Sequence, residues 1–178
     1  MKRYCLYLFI LIGISCSAEL KAQRNGTVYK GNDPAVRYTG RTLVSSDGSV
    51  AFDWVGTYLE TRFTGGRLSV KVSETGTSYY NVFVDGKLHK VVKVCGTDTL
   101  IHLVSGIDKR IHSLKIQKRS EGEFGKTTIH QFVLSGSGRL AEEPAVRTRH
   151  IEFIGNSLTC GYGTDGKHRD EPSLVATA

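Results

Sequence analysis

From about residue 34 to 137, apolar and polar residues alternate along the chain. In RLSVKVS, Leu68, Val70 and Val72 fall on one side while Arg67, Ser69 and Lys71 fall on the other, the period-two pattern of a half-buried β-strand. In SYYNVFVDGKLHKVVKV, Tyr80, Val82 and Val84 alternate with Tyr79, Asn81 and Phe83, and Asp85-Gly86 then supplies a hairpin turn. Further strands are expected at 50–55, 57–63, 99–104, 110–116 and 128–134, separated by Gly and Asn/Asp/Ser clusters. No stretch sustains a helical apolar period, and there is no internal repeat or low-complexity tract. Many short strands with regular turn punctuation point to a mainly β fold, a jelly-roll-like antiparallel β-sandwich over residues 32–137.

The pattern changes after residue 137. SGSGRLAEEPAVRTRH (135–150) begins small and flexible, turns charged and carries Pro144, so 138–148 reads as a linker. Ile151, Phe153 and Ile154 then crowd into one short segment, as in a strand covered on both faces. Residues 149–178 therefore read as the opening of a second, α/β domain. In IEFIGNSLTCGYG the strand would run into Gly155-Asn156-Ser157. Glycine lets the backbone turn sharply as it leaves a sheet. A serine next in line would sit at a helix start, where free N–H groups favour a negative centre. Gly-Asn-Ser is equally ordinary turn chemistry with Ser157 as an N-cap, and the pattern alone does not choose.

The amino-terminal end carries a different signal. Lys2 and Arg3 precede an apolar run at 4–14, too short to span a bilayer and the right length for a signal-peptide core. Residues 1–22 are expected to be a signal peptide, cleaved after Ala22 or Ala18. Gly13-Ile14-Ser15-Cys16 alternatively offers a loose lipobox with Cys16 as the lipidated residue. Either route exports the protein, to the periplasm, the extracellular space or the outer membrane, with no membrane-spanning segment in the mature chain.

The net charge of +7 falls to +5 without residues 1–22, which carry Lys2, Arg3, Lys21 and Glu19. The remaining excess is spread among acids, with no dense basic block interleaved with aromatics, so nucleic acid is not an expected partner. Hydrophobic content of 39% with 20 Gly and 3 Pro fits a turn-rich globular protein rather than a disordered one. Cys95 and Cys160 have no neighbouring histidines, so no zinc site is expected, and both cysteines are expected to be free and buried, although spacing leaves a disulfide between them open. No phosphate-binding glycine loop is present, and no cofactor is expected.

IEFIGNSLTCGYG resembles the first block of the SGNH (GDSL-type) hydrolases, with Asn156 where Asp is commoner. Together with YTGR (38–41), WVGTYLETRF (54–63) and YYNVFVDG (79–86), it makes the chain similar to a narrower group, carbohydrate esterase family 2, over residues 32 to about 172. Members are exported bacterial acetyl esterases of the acetylxylan esterase type, with a jelly-roll domain ahead of an SGNH catalytic domain. The resemblance implies a serine carbohydrate deacetylase acting on O-acetylated plant polysaccharide of the xylan or mannan type. It makes Ser157 the nucleophile and its backbone N–H an oxyanion donor, with Gly155, Asn156 and Gly161 as supporting motif positions.

The resemblance also implies parts that belong to later blocks: a glycine N–H, an asparagine side chain and a late histidine. His168 and Asp170 lie in GKHRDEP, a polar run the family carries after its serine block, and do not match that histidine. His150 reads as a loop residue. The chain is thus expected to be a truncated esterase, inactive or incomplete alone. Two alternatives stay open: a non-catalytic β-sandwich that binds carbohydrate or a partner, and one half of a split esterase. For carbohydrate contact the candidates are Trp54 and Tyr79, with Tyr58 and Tyr80 beside them, although strict alternation sends half of these inward. Asp53 and Glu60 suggest a glycosidase carboxylate pair only by proximity in sequence, and nothing else supports it.

Overall fold

The computed structural model describes residues 26–141, 148–149, 151 and 154–159. Alternation is expressed as seven antiparallel strands: β1 (Gly26–Lys30), β2 (Val36–Thr39), β3 (Leu43–Val44), β4 (Val50–Phe52), β5 (Tyr58–Val84), β6 (Lys87–Lys118) and β7 (Thr127–Ser135), with one 3-10 turn at Gly122–Phe124. β5 and β6 are long enough to pass through both layers of the fold. In one layer β5 pairs with β2 through Leu59↔Tyr38 and with β6 through Thr61↔Leu114, and the far end of β6 pairs again with β5 through Ile116↔Val82. In the other, the middle of β5 lies between β6 (Val70↔Ile101) and β7 (Val70↔Phe132), and β7 pairs onward with β1 and β4. The result is a curled antiparallel sheet closed into a sandwich.

The inward faces meet in one core. Leu59, Phe63, Val82 and Leu114 from the first layer pack in the same cluster as Leu68, Val72, Leu103, Phe132 and Leu134 from the second. Phe63, Leu68, Val82, Phe132 and Leu134 are fully buried, as the period-two pattern requires.

The separate strands expected at 57–63, 67–73 and 78–84 are one strand in the structure, and those expected between 87 and 116 are another. The intervening Gly and Thr residues do not end the ladder. Pairing continues through register shifts between Thr64 and Leu68 and between Val72 and Thr77, because a bulge bends a strand without terminating it. The hairpin at Asp85-Gly86 is as expected. Both residues have positive φ, +51° and +76°, the backbone a two-residue type I′ turn needs.

Three features depart from the sequence reading. Gly26–Lys30 joins the sheet ahead of residue 32, pairing with β7 from Gly26↔Ser135 to Lys30↔Gln131. Residues 139–141, expected to open the linker, run along β5: the Ala141 N–H donates to the Arg62 carbonyl at 2.7 Å and the Thr64 N–H to the Arg139 carbonyl at 2.9 Å. Leu140 is apolar and buries in the core, which draws this stretch onto the sheet. Cys95, expected to be buried, is free and exposed, because it lies beside a bend within β6 where Gly96 and Asp98 both take positive φ. Cys160 lies outside the described residues, as do the expected signal peptide, positions 142–147 of the expected linker, Gly161, His150, His168 and Asp170.

Candidate functional site

The Gly155-Asn156-Ser157 motif forms a tight turn. The Thr159 N–H donates to the Asn156 carbonyl at 3.0 Å, and the Leu158 N–H donates to the Asn156 Oδ1 at 3.0 Å. The Asn156 side chain thus closes the turn. Asx side chains close turns in this way by accepting from the backbone two residues on. A Cβ at position 155 would lie 2.0 Å from the Thr159 hydroxyl, so only glycine fits there. Ser157 stands exposed in the turn. Ile151 and Ile154 are exposed and carry no strand pairing among the described residues.

Nucleophilic serines need a base within about 2.6–3.2 Å. Four of the six histidines fall among the described residues, and three of these are committed inside the β-domain. His102 Nδ1 is 2.8 Å from the Ser69 hydroxyl. His130 Nε2 is 2.8 Å from the Ser73 hydroxyl. His112 is buried and held from both sides, Nδ1 by Asp85 at 2.7 Å and Nε2 by Asp108 at 2.9 Å. His89 is exposed on β6.

Ser73, His130 and Asp98 invite comparison with a hydrolytic triad, but the geometry is wrong. A triad carboxylate holds the imidazole nitrogen opposite the serine. Here Asp98 approaches the same Nε2, at 3.9 Å, and its own N–H donates to the Ser73 hydroxyl at 3.0 Å. The group ties a turn to the sheet. Among the described residues no cluster of His, Cys, Asp and Glu could hold a metal.

The candidate aromatics divide as alternation predicts. Tyr80 is buried, Tyr58 and Tyr79 are half-buried, and Trp54 is 62% exposed. Trp54 sits in the loop between β4 and β5 with the Arg41 guanidinium 5.7 Å from its ring centroid. Tyr79, and Asp53 next to Trp54, both meet the loop that follows β6. The Tyr79 N–H donates to the Ser120 hydroxyl at 2.7 Å, and the Arg119 N–H donates to the Tyr79 carbonyl at 3.0 Å. Gly122 packs so closely on Asp53 that a Cβ there would meet its carbonyl oxygen at 3.2 Å. Asp53 is exposed and Glu60 half-exposed, on the surface as expected.

Sequence reasoning missed what anchors this end. Lys118 is buried, its ammonium donating to the Ser78 hydroxyl at 2.7 Å and to the Gly125 carbonyl at 2.8 Å. Nearby the buried Thr127 hydroxyl donates to Glu74 Oε2 at 2.5 Å and is hydrogen-bonded to the Tyr80 hydroxyl. Burial pushes the Lys118 ammonium below the ordinary lysine range, opposed by the nearby Glu74 carboxylate. Burial likewise pushes the Tyr80 phenol well above its usual value. The only sequence signal was Lys118 falling on the inward phase of a strand whose other inward residues, Leu114 and Ile116, are apolar.

The chain matches the sequence profile of the carbohydrate esterase 2 N-terminal family over residues 38–144. The chain belongs to this family. It is 33% identical over 140 residues to a cellulase/esterase, CelE, of Acetivibrio thermocellus, covering 79% of this chain and 17% of that protein. It is 30% identical over 135 residues to an acetylxylan esterase / glucomannan deacetylase of Cellvibrio japonicus, covering 75% of this chain and 37% of that one. Among solved structures, a family two carbohydrate esterase from Clostridium thermocellum in complex with cellohexaose superposes with a TM-score of 0.72 and 31% identity, over 80% of this chain and 44% of that one. A family two esterase from Cellvibrio japonicus gives 0.71 and 26%, over 85% and 45%. The chain thus spans less than half the length of each of these family relatives.

Proposed function

We propose that this family member serves a serine acetyl esterase that removes acetyl groups from O-acetylated plant polysaccharide of the xylan or mannan type. The β-sandwich is its amino-terminal module and Ser157 its nucleophile. Ser157 Oγ attacks the acetyl carbonyl as a base from the later blocks takes its proton, and its own N–H contributes to holding the oxyanion. The sugar oxygen leaves with that proton as the hydroxyl, and water then hydrolyses the acetyl-serine to acetate and free serine. Gly155 and Asn156 set the turn that presents Ser157, and Gly161 completes the motif. The observation that carries this reading is an exposed serine in a glycine-dependent, Asn-closed turn a short distance after a family 2 β-module. The Cellvibrio japonicus relative is an acetylxylan esterase / glucomannan deacetylase, and the substrate class comes to this chain by that likeness.

The test is a chimera in which residues 26–178 replace the matching region of the Cellvibrio japonicus deacetylase. Acetate release from acetylated glucomannan is expected, with a loss of about 10³-fold or more in Ser157→Ala. Activity indifferent to that substitution would refute the assignment. We also propose export, with a mature end at Gln23 or lipid on Cys16; terminal sequencing and mass spectrometry of the exported product distinguish these from a retained segment.

A second role for the module is favoured by Trp54, a large aromatic 62% exposed at a braced end of the sandwich. Stacking of a sugar face on Trp54, with Tyr79 alongside, would hold the polysaccharide near the reacting end. Affinity electrophoresis in xylan and mannan gels should show retardation that Trp54→Ala relieves.

A further inference from the structure

A groove of about 620 Å³ opens where the chain leaves the sheet, and four of its lining residues are the cations Arg62, Lys109, Arg110 and Arg139. It is built by the strand register. Phe63 pairs with Leu140 on one side and with His112 on the other, and all three point inward. The residues on either side of them must then point outward together: Arg62 and Thr64 on β5, Arg139 and Ala141 on the added stretch, and Ile111 on β6. Arg62 and Arg139 are diagonal neighbours across this pair, about 7–8 Å apart at the backbone.

The charges are unequal. Asp108 pairs with Arg110, Nε to Oδ2 at 2.8 Å, and also holds His112. Arg62, Lys109 and Arg139 form no ion pair among the described residues. Two guanidinium forks and an ammonium therefore face a concave surface that also carries the exposed, apolar Ile111. Guanidinium groups bind carboxylates bidentately, and apolar patches suit the C–H face of a sugar ring. The volume lies within the roughly 300–1,000 Å³ of small-ligand sites and is too small for a folded partner. No aromatic lines it, unlike the stacking platforms that single-stranded nucleic acids use.

We propose that this groove binds the carboxylate-bearing residues of an acidic plant glycan, uronic acid branches on the polysaccharide chain. The proposal rests on the polysaccharide reading above and narrows its substrate class to glycans that carry uronate.

The test is calorimetric titration of the full chain with glucuronic acid-substituted xylan, with the same xylan after its carboxyl groups are reduced to alcohols, and with neutral glucomannan. Uronate xylan is expected to bind about tenfold more tightly than its reduced form, and Arg62→Gln/Arg139→Gln to lose about tenfold on uronate xylan alone. Lys87→Gln/Lys93→Gln removes the same charge from exposed positions elsewhere and should change binding less than about twofold. Equal binding of the two xylans, equal losses in the two double variants, or no binding of uronate xylan would each overturn the proposal. Acetate release from neutral glucomannan by the chimera does not involve the groove, so the polysaccharide reading stands or falls separately.

Discussion

His112 is the residue whose chemistry reaches furthest into stability. With a carboxylate on each ring nitrogen, it is satisfied only as the imidazolium, donating to Asp85 and to Asp108. The Asp85 hydrogen bond, reinforced by Asp108, lifts its pKa above the ordinary 6.5 against the opposing effect of burial. The same contacts lower both carboxyls: for Asp85 the His112 bond first and then the Ser113 N–H, for Asp108 the Arg110 N–H first. The raised histidine contributes stability below about pH 6.5 that is lost as pH climbs through its folded value. The depressed carboxyls contribute stability above about 3.8 that is lost as pH falls through theirs. Thermal melts should therefore place the midpoint higher at pH 5.5 than at pH 8, and His112→Gln should flatten that difference. Equal slopes in parent and variant would show that other groups set the pH dependence. Lys118 makes a second residue-level test. Lys118→Met strips partners from Ser78 and the Gly125 carbonyl and leaves the buried Glu74 without its nearby cation, so urea unfolding should register a loss of about 3 kcal/mol.

Among the elements, β5 and β6 carry the fold, since each runs through both layers and β5 also contacts β2 and β7. Phe132 on β7 is fully buried in the core they share, and Phe132→Ala should cost about 3–5 kcal/mol in a denaturant titration. A loss below about 1 kcal/mol would mean that the two layers do not share one core. The strands were legible because each buries one face: Leu68, Val70 and Val72 announce theirs directly. Asp85-Gly86 was legible because few residue pairs accept positive φ twice in succession. Strand continuity was not legible, because glycine punctuates a bulge and a turn alike, and only the partner strand decides between them. Nor were the paired polar groups. His112 and Asp85 are 27 residues apart, Ser73 and His130 are 57 apart, and no local pattern encodes such meetings. The basic groove depends on Leu140 pairing with Phe63, which a reading of 138–148 as linker conceals.

Across the whole molecule, the proposed esterase divides its labour. The described residues supply a family 2 β-module and a serine in a tight turn, and on the proposed function the proton acceptor is expected from later sequence blocks of the fold. Within the module, His102, His112 and His130 already serve structural hydrogen bonds. Turnover of p-nitrophenyl acetate by purified residues 23–178, with Ser157→Ala as control, tests this most directly. The expected result is a rate for the parent indistinguishable from the variant and from buffer. Hydrolysis that disappears on Ser157→Ala would contradict it, since a base and oxyanion donors would then have to lie within these residues.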